Sequence, residues 1–266
     1  MTDPRIEFFS ALQSGGVGPA NPSALVADGL LHRHRIEGDR PGTLNGWHVL
    51  HLDNPASGAG GSWKAGHSVK WCSKRLSALT ASERAEITRR ITEDRKRAQE
   101  ATEARHRDAA AKAARIWTDS APAAARHPYL DRKGIAPGIA RQSGGALVLP
   151  VVDFTGTLHG LQFIDEQGQK RFISGMAKAG HFIPSGGTPS PDRPLWIAEG
   201  HATACTLSAL QPGVVVIAAC DAGNLLSVAT EARKRWPALD VVICPDFDAI
   251  AARKGRKQLL QPVPAS

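Results

Sequence analysis

The last quarter of the chain reads as an α/β fold built on a parallel sheet, and the rest as β-rich pieces on either side of one long helix. Short runs of β-forming apolar residues alternate with helix-like stretches: Leu195-Trp196-Ile197-Ala198, Val214-Val215-Val216-Ile217-Ala218 and Val241-Val242-Ile243-Cys244 are separated by residues 201–210 and 222–236. Runs this short and apolar read as buried strands. Strands that alternate with helices pair in parallel, and right-handed crossovers bring their carboxyl ends to one edge. That edge is where open α/β sheets bind ligands. Two of the three runs end in acids there: Glu199-Gly200 follows the first, and Asp246-Phe247-Asp248 follows the last after Pro245.

Asp246 and Asp248 are two apart, so on extended backbone they point the same way and can reach one site. With Glu199 they form a hard-oxygen set suited to Mg²⁺ and phosphate chemistry. Gly200 is expected to let the backbone turn sharply and to leave room for a phosphate near the next helix N-terminus. The plainer reading makes Glu199 a helix-start residue and the Asp pair part of a solvated loop. Both acidic motifs on strands of one βαβ array favour the metal site.

The upstream elements follow in order. Residues 1–75 are rich in Gly, Pro, His and Trp, with a strand at Gly46-Trp47-His48-Val49-Leu50-His51-Leu52 and turn or loop signals at Asn45-Gly46 and 54–61. A small β-rich module is expected, with Trp47, Trp63 and Trp71 mainly in its core and base stacking as the other reading. His32, His34, His48, His51 and His67 match no familiar metal-ligand spacing. From Thr80 to about Trp117 one long charged helix is expected: Thr80-Ala81-Ser82-Glu83 fits a capping box and no Gly or Pro interrupts it. Its apolar stripe is thin, so it is mostly solvated. Its Arg89-Arg90 and Arg95-Lys96-Arg97 clusters fit a charged face better than a nucleic-acid contact. Residues 146–152, 158–164 and 170–173 read as a three-stranded meander joined by the turns Asp153-Phe154-Thr155-Gly156 and Asp165-Glu166-Gln167-Gly168, with Lys170-Arg171 on the last strand. The domains expected are thus 1–78, 79–120, 121–190 and 191–266.

A chain of 266 residues holds one or two packed domains. Its 33 Lys and Arg outweigh 25 Asp and Glu, for a net charge of +8, which favours polyanionic partners. The cysteines Cys72, Cys205, Cys220 and Cys244 make no C-x-x-C pair, so a zinc ribbon is not expected, and reduced core thiols are. No charged-then-apolar leader pattern and no run of membrane-spanning length is found, which gives the cytoplasm as the expected compartment and no membrane partner.

Glu-Gly after one strand and Asp-x-Asp after a later one resemble the Toprim domain, a Rossmann-like parallel sheet shared by bacterial primases, topoisomerases and some nucleases. His127-Pro128-Tyr129-Leu130-Asp131-Arg132-Lys133-Gly134-Ile135 resembles the "YL-x-x-RGI" segment ahead of the catalytic core of bacterial replicative primases. The stretch LVLPVVDFTGTLHGLQFID, followed by Gly168-Gln169-Lys170-Arg171-Phe172, is similar to the same core's "P-x-x-D-x-x-G-x-x-x-G" and lysine-aromatic strands. IAEGHATA and CDAGNL are closer still to the Toprim primases of phages, plasmids and integrative elements. The resemblance covers roughly residues 115–250.

The resemblance implies a DNA-dependent primase, a nucleotidyltransferase that makes short primers on single-stranded DNA with Mg²⁺ or Mn²⁺, in a mobile genetic element. It implies Glu199, Asp246 and Asp248 as catalytic metal ligands, and Gly200, Lys170, Arg171, Asp221 and Asn224 as nucleotide or template contacts. Arg132, Lys133 and Arg141 are weaker candidates. The implied partners are single-stranded DNA, nucleoside triphosphates and a separate replicative helicase. This chain departs from the replicative "EG-x-x-D" by carrying Thr203, and Asp221 either replaces that charge or caps the next helix. A fourth strand after Asp248 is not found, so the sheet domain reads as short at its C-terminal end. The alternatives are a non-catalytic nucleic-acid-binding accessory protein and a Toprim nuclease. A topoisomerase would need a tyrosine nucleophile, and the one tyrosine, Tyr129, reads as packing.

Overall fold

The computed structural model describes residues 3–246, which divide between Thr102 and Glu103 into two compact units. In the first unit the chain opens with α1 (Pro4–Ser14), capped by Asp3, whose side chain accepts from the Arg5 amide, with Pro4 in the first turn. The sequence reading of a β-rich start misses this helix. Four strands follow, β1 (His32–His34), β2 (Gly46–His51), β3 (Ser57–Ser62) and β4 (His67–Cys72), paired antiparallel in that order. β3 falls within a stretch read as turn or loop. Two of its glycines make room for α1: a Cβ on Gly60 would lie 2.6 Å from Leu12 Cδ2, and one on Gly58 3.0 Å from Phe8 Cε2. Phe8 and Leu12 are thereby buried with Val17 and Leu50, and Trp71 packs on this cluster with its ring 5.7 Å from that of Phe8. Trp63 stays half exposed, under the Arg33 guanidinium.

The histidines of this unit are structural. His48 Nε2 accepts from the Val26 amide, so its Nδ1 carries the hydrogen and donates to His34 Nδ1 at 3.1 Å; His34 Nε2 then donates to the Val17 carbonyl at 3.0 Å. All four ring nitrogens are used, and both rings are neutral. Burial, with the neighbouring His34 and His32 next, pushes His48 down to about 4 from 6.5, and burial also lowers His34. A depressed folded value means the unfolded chain binds the proton more tightly. The stability these rings supply is therefore intact above pH 6.5 and is lost as the pH falls towards 4. We predict that the first unit's melting temperature drops across this window, and that His48→Gln, less stable at neutral pH, flattens the slope in melts recorded against pH.

α2 (Ala81–Asp119) follows, begun by the expected capping box: Thr80 N–H donates to Glu83 Oε2 at 2.9 Å, and Glu83 N–H to Thr80 Oγ1 at 3.2 Å. In the second unit come β5 (Ala121–Pro122), α3 (Pro128–Lys133), β6 (Arg141–Ser143), β7 (Ala146–Val152), β8 (Leu158–Ile164) and β9 (Lys170–Phe172), and β5 to β9 form one antiparallel sheet in sequence order. Ala109 and Ala113 of α2 pack on its outer face against Val148, Leu161 and Ile173.

Next are β10 (Ile183–Gly186), β11 (Leu195–Ala198), α4 (His201–Leu210), β12 (Val215–Ala218), α5 (Leu225–Arg235) and β13 (Val241–Cys244). The second sheet has the order β10-β12-β11-β13, with β12, β11 and β13 parallel and β10 antiparallel to β12. Among the described residues this sheet has four strands, with β10 coming from upstream; the stretch after Asp248 lies outside the described residues. Leu149, Val151, Ala204 and Val216 pack on the face that α4 covers, and Val228, Ala229 and Ala232 of α5 cover Leu195, Ile197 and Ile217 on the other. Val152 and Phe182 exchange two backbone hydrogen bonds of 2.8 and 2.9 Å, linking β7 to the segment that enters β10. Among the described residues no helix is long and apolar enough to cross a membrane. The cysteines are free thiols, and burial pushes Cys205 up to about 11 and Cys220 up to about 12.

Candidate active site

The parallel register fixes where the acids emerge. Ala198 at the end of β11 is level with Ala218 of β12 and with Cys244 of β13. The chain therefore leaves all three strands at one edge, Glu199 directly after β11 and Asp246 two residues after β13. Glu199 is half-buried and Asp246 exposed. Thr203 lies in the first turn of α4, the helix that starts just after Glu199-Gly200, and its Oγ1 donates to Asp246 Oδ1 at 2.9 Å. Where an acid was expected from the replicative pattern, a hydroxyl instead orients Asp246 without adding negative charge. Asp248 lies outside the described residues, as does the basic stretch 253–257.

Gly200 is needed for space and not for a turn. Its φ of −122° and ψ of 159° are extended backbone open to any residue. A Cβ there would come 3.3 Å from Lys170 Nζ, so glycine lets that amine approach the main chain. Lys170 thus reaches the Glu-Gly turn from β9. Arg171, its neighbour on the strand, points to the opposite face and does not join it. A cavity of about 280 Å³ opens here, lined by Arg132, Lys133, Lys170, Gly200, Thr203 and Asp246 among others. Three cationic side chains face one carboxylate across it, an arrangement able to hold an anionic phosphate chain. Tyr129 is buried in the core, as expected for a packing residue, and forms part of the cavity wall. The α3 segment that carries Arg132 and Lys133 stops at Gly134, whose φ of 63° is left-handed.

The other expected contacts have different places. Asp221 makes no side-chain cap hydrogen bond at the turn after β12, and its carboxylate pairs with Lys178 instead. Asn224 is buried: its Oδ1 accepts from the Gly180 amide at 3.0 Å, and its Nδ2 donates to the carbonyls of Lys178, His181 and Ala219. Its amide is spent on backbone and has no face left for a nucleotide, so in this structure it is a bracket. Arg141 likewise serves the fold, its guanidinium on the Trp117 carbonyl and 4.5 Å from the Trp117 ring centroid.

Sequence reasoning missed Lys178, whose partner is far along the chain, and His201. His201 is buried at the start of α4, with Nδ1 3.0 Å from Ser185 Oγ, and burial, then Lys170, pushes it down to about 4. It is a neutral tie between β10 and α4. A larger cavity, about 620 Å³, lies between the β7–β8 turn and β10 and holds none of the predicted site residues.

No protein-family model matches the chain. Two curated relatives do, both named DNA primase TraC, from Escherichia coli. One is 34% identical over 260 residues, 92% of this chain and 17% of the relative. The other is 33% identical over 252 residues, 92% of this chain and 24% of the relative. The chain thus spans less than a quarter of the length of these relatives. Among solved structures, the primase fragment of the bacteriophage T7 primase-helicase protein aligns at 16% identity over 48% of this chain and 58% of that one, with a TM-score of 0.36, a likeness too distant to carry weight. The primase resemblance read from the sequence is borne out at the level of the whole chain: it is a homologue of a segment of proteins named DNA primase TraC.

Proposed function

We propose that the chain carries the catalytic core of a Toprim-type DNA primase, which makes short primers on single-stranded DNA by Mg²⁺-dependent nucleotidyl transfer for a mobile genetic element. One observation carries this reading. Asp246, from the end of β13, is hydrogen-bonded into the helix that starts after Glu199-Gly200, with Lys170 beside that glycine. The similarity to proteins named DNA primase supports it.

Glu199, Asp246 and Asp248 would hold the cation, and their oxygen donors fit Mg²⁺, which is usually held by one or two carboxylates together with substrate phosphates. When bound, the ion would offset the charge that builds on the phosphoryl oxygens as the 3′ hydroxyl of one nucleotide attacks the α-phosphate of the next and pyrophosphate leaves. The chain's own residues supply positioning. Lys170, Arg132 and Lys133 bind the triphosphate, and Thr203 aims Asp246. Glu199 either joins the metal set or accepts the hydroxyl proton. Partners on this reading are single-stranded DNA, nucleoside triphosphates and a separate replicative helicase.

The test is incorporation of labelled ribonucleotides on single-stranded DNA, with and without EDTA. Mg²⁺-dependent primers support the reading; binding that persists in EDTA without synthesis replaces it with an accessory role. Thr203→Val should lower the rate about tenfold, since it loosens Asp246 without removing it. A rate equal to wild type in the same gel assay would show that the hydroxyl does not position the acid.

A further inference from the structure

We propose that Asp153, His159 and His181 form a site for a divalent transition metal, typified by Zn²⁺, that clamps the two sheets of the second unit together. The site is separate from the acidic edge and does not rest on the primase reading.

The three side chains bring their donor atoms within 4.8 Å of one another. Asp153 sits just past β7, His159 in β8 and His181 just before β10. Each is held in place already. Asp153 Oδ1 accepts from the Thr155 and Thr157 amides at 2.7 and 3.1 Å, which turns Oδ2 towards His159 Nε2, 3.0 Å away. The His159 and His181 ring centroids are 4.0 Å apart. His181 is pinned through its carbonyl and the adjacent Gly180 amide by Asn224. Its Nδ1 is buried and outside the side-chain hydrogen bonds of the protein, which leaves it open to an ion or a water.

The donor chemistry selects the ion. Two imidazoles and one carboxylate suit borderline metals such as Zn²⁺, whereas the all-oxygen edge at Glu199 suits Mg²⁺. Zinc held at about 2.0–2.2 Å in a tetrahedron sets neighbouring donor atoms roughly 3.3–3.5 Å apart, close to the existing contact between Asp153 and His159. Binding at His159 Nε2 moves its hydrogen to Nδ1, a change of tautomer and not of charge. Three protein ligands leave the fourth position to water. By contrast, His34 and His48 in the first unit have every ring nitrogen engaged and offer no donor.

The location gives the site its role. Asp153 follows Val152 and His181 precedes Phe182, the pair whose mutual hydrogen bonds join β7 to the entry of β10. A metal there reinforces that junction from the side chains.

The test uses the full chain, stripped with EDTA and dialysed against Zn²⁺. One equivalent should be retained, X-ray absorption should show two imidazoles in the first shell, and zinc should raise the melting temperature. His159→Gln and His181→Gln should each weaken binding at least about tenfold. Failure of the wild type to hold stoichiometric zinc would overturn the proposal, as would unchanged affinity in both variants. If a variant does not fold, the wild-type absorption spectrum decides: a first shell with sulfur, or of oxygen alone, refutes the site.

Discussion

Asp246→Asn is expected to lower nucleotide incorporation by at least about a hundredfold while the protein remains folded. Asp246 is exposed and follows β13 without joining the core, so its replacement by an isosteric amide leaves the sheet intact. The Thr203 hydroxyl can still donate to the amide oxygen, so geometry is retained and only the charge is lost. On our reading that charge is what holds the cation against the phosphates, so the loss should appear in kcat more than in KM. Glu199→Gln should behave alike. Full activity in either variant would show that catalysis does not use this edge.

Asn224→Ala is expected to destabilise the second unit by about 3–5 kcal/mol, and so to lower its melting temperature by roughly 10 °C. The side chain is 2% exposed and serves four backbone groups, the Gly180 amide and the carbonyls of Lys178, His181 and Ala219. Alanine leaves all four buried or half-buried without that partner, and an unsatisfied group costs about 1–3 kcal/mol. The turn they hold carries Lys178, the partner of Asp221, so the charge at the β12 end should loosen too. A thermal melt within about 2 °C of wild type would mean that the bracket is replaceable.

Much of this was legible in the sequence wherever the signal was local. β11, β13 and α4 have the bounds that their apolar runs and Gly200 mark, and α2 begins at its capping box. The meander β7–β8–β9 follows from its apolar runs and the turns that open on Asp and close on Gly, although β7 is buried on both faces rather than alternating. The rest depended on partners distant in the chain. β10 contains Pro184 and Gly186 and has no period of its own; it is a strand because β12 pairs with it. β3 is glycine-rich and looks like a loop until α1 is laid over it, although Asp3 and Pro4 did mark the start of that helix.

In the site, the positions of Glu199 and Asp246 at one sheet edge were readable from strand order alone. Asn224 was expected as a ligand contact because the resemblance of CDAGNL implies it. Only the packing of residues 178–181 against it reveals a bracket. Asp153 and His159 lie in the stretch read as a meander similar to the primase core, and His181 lies beyond it. Nothing in their spacing announces that the sheet junction gathers them.

The most direct test of the central claim is anomalous diffraction from crystals grown with Mn²⁺ and a nucleoside triphosphate. We expect a peak held jointly by the carboxylates of Glu199 and Asp246, with the phosphates towards Lys170. Manganese bound elsewhere with that edge empty, or the two carboxylates turned to opposite sides of the sheet, would contradict the account.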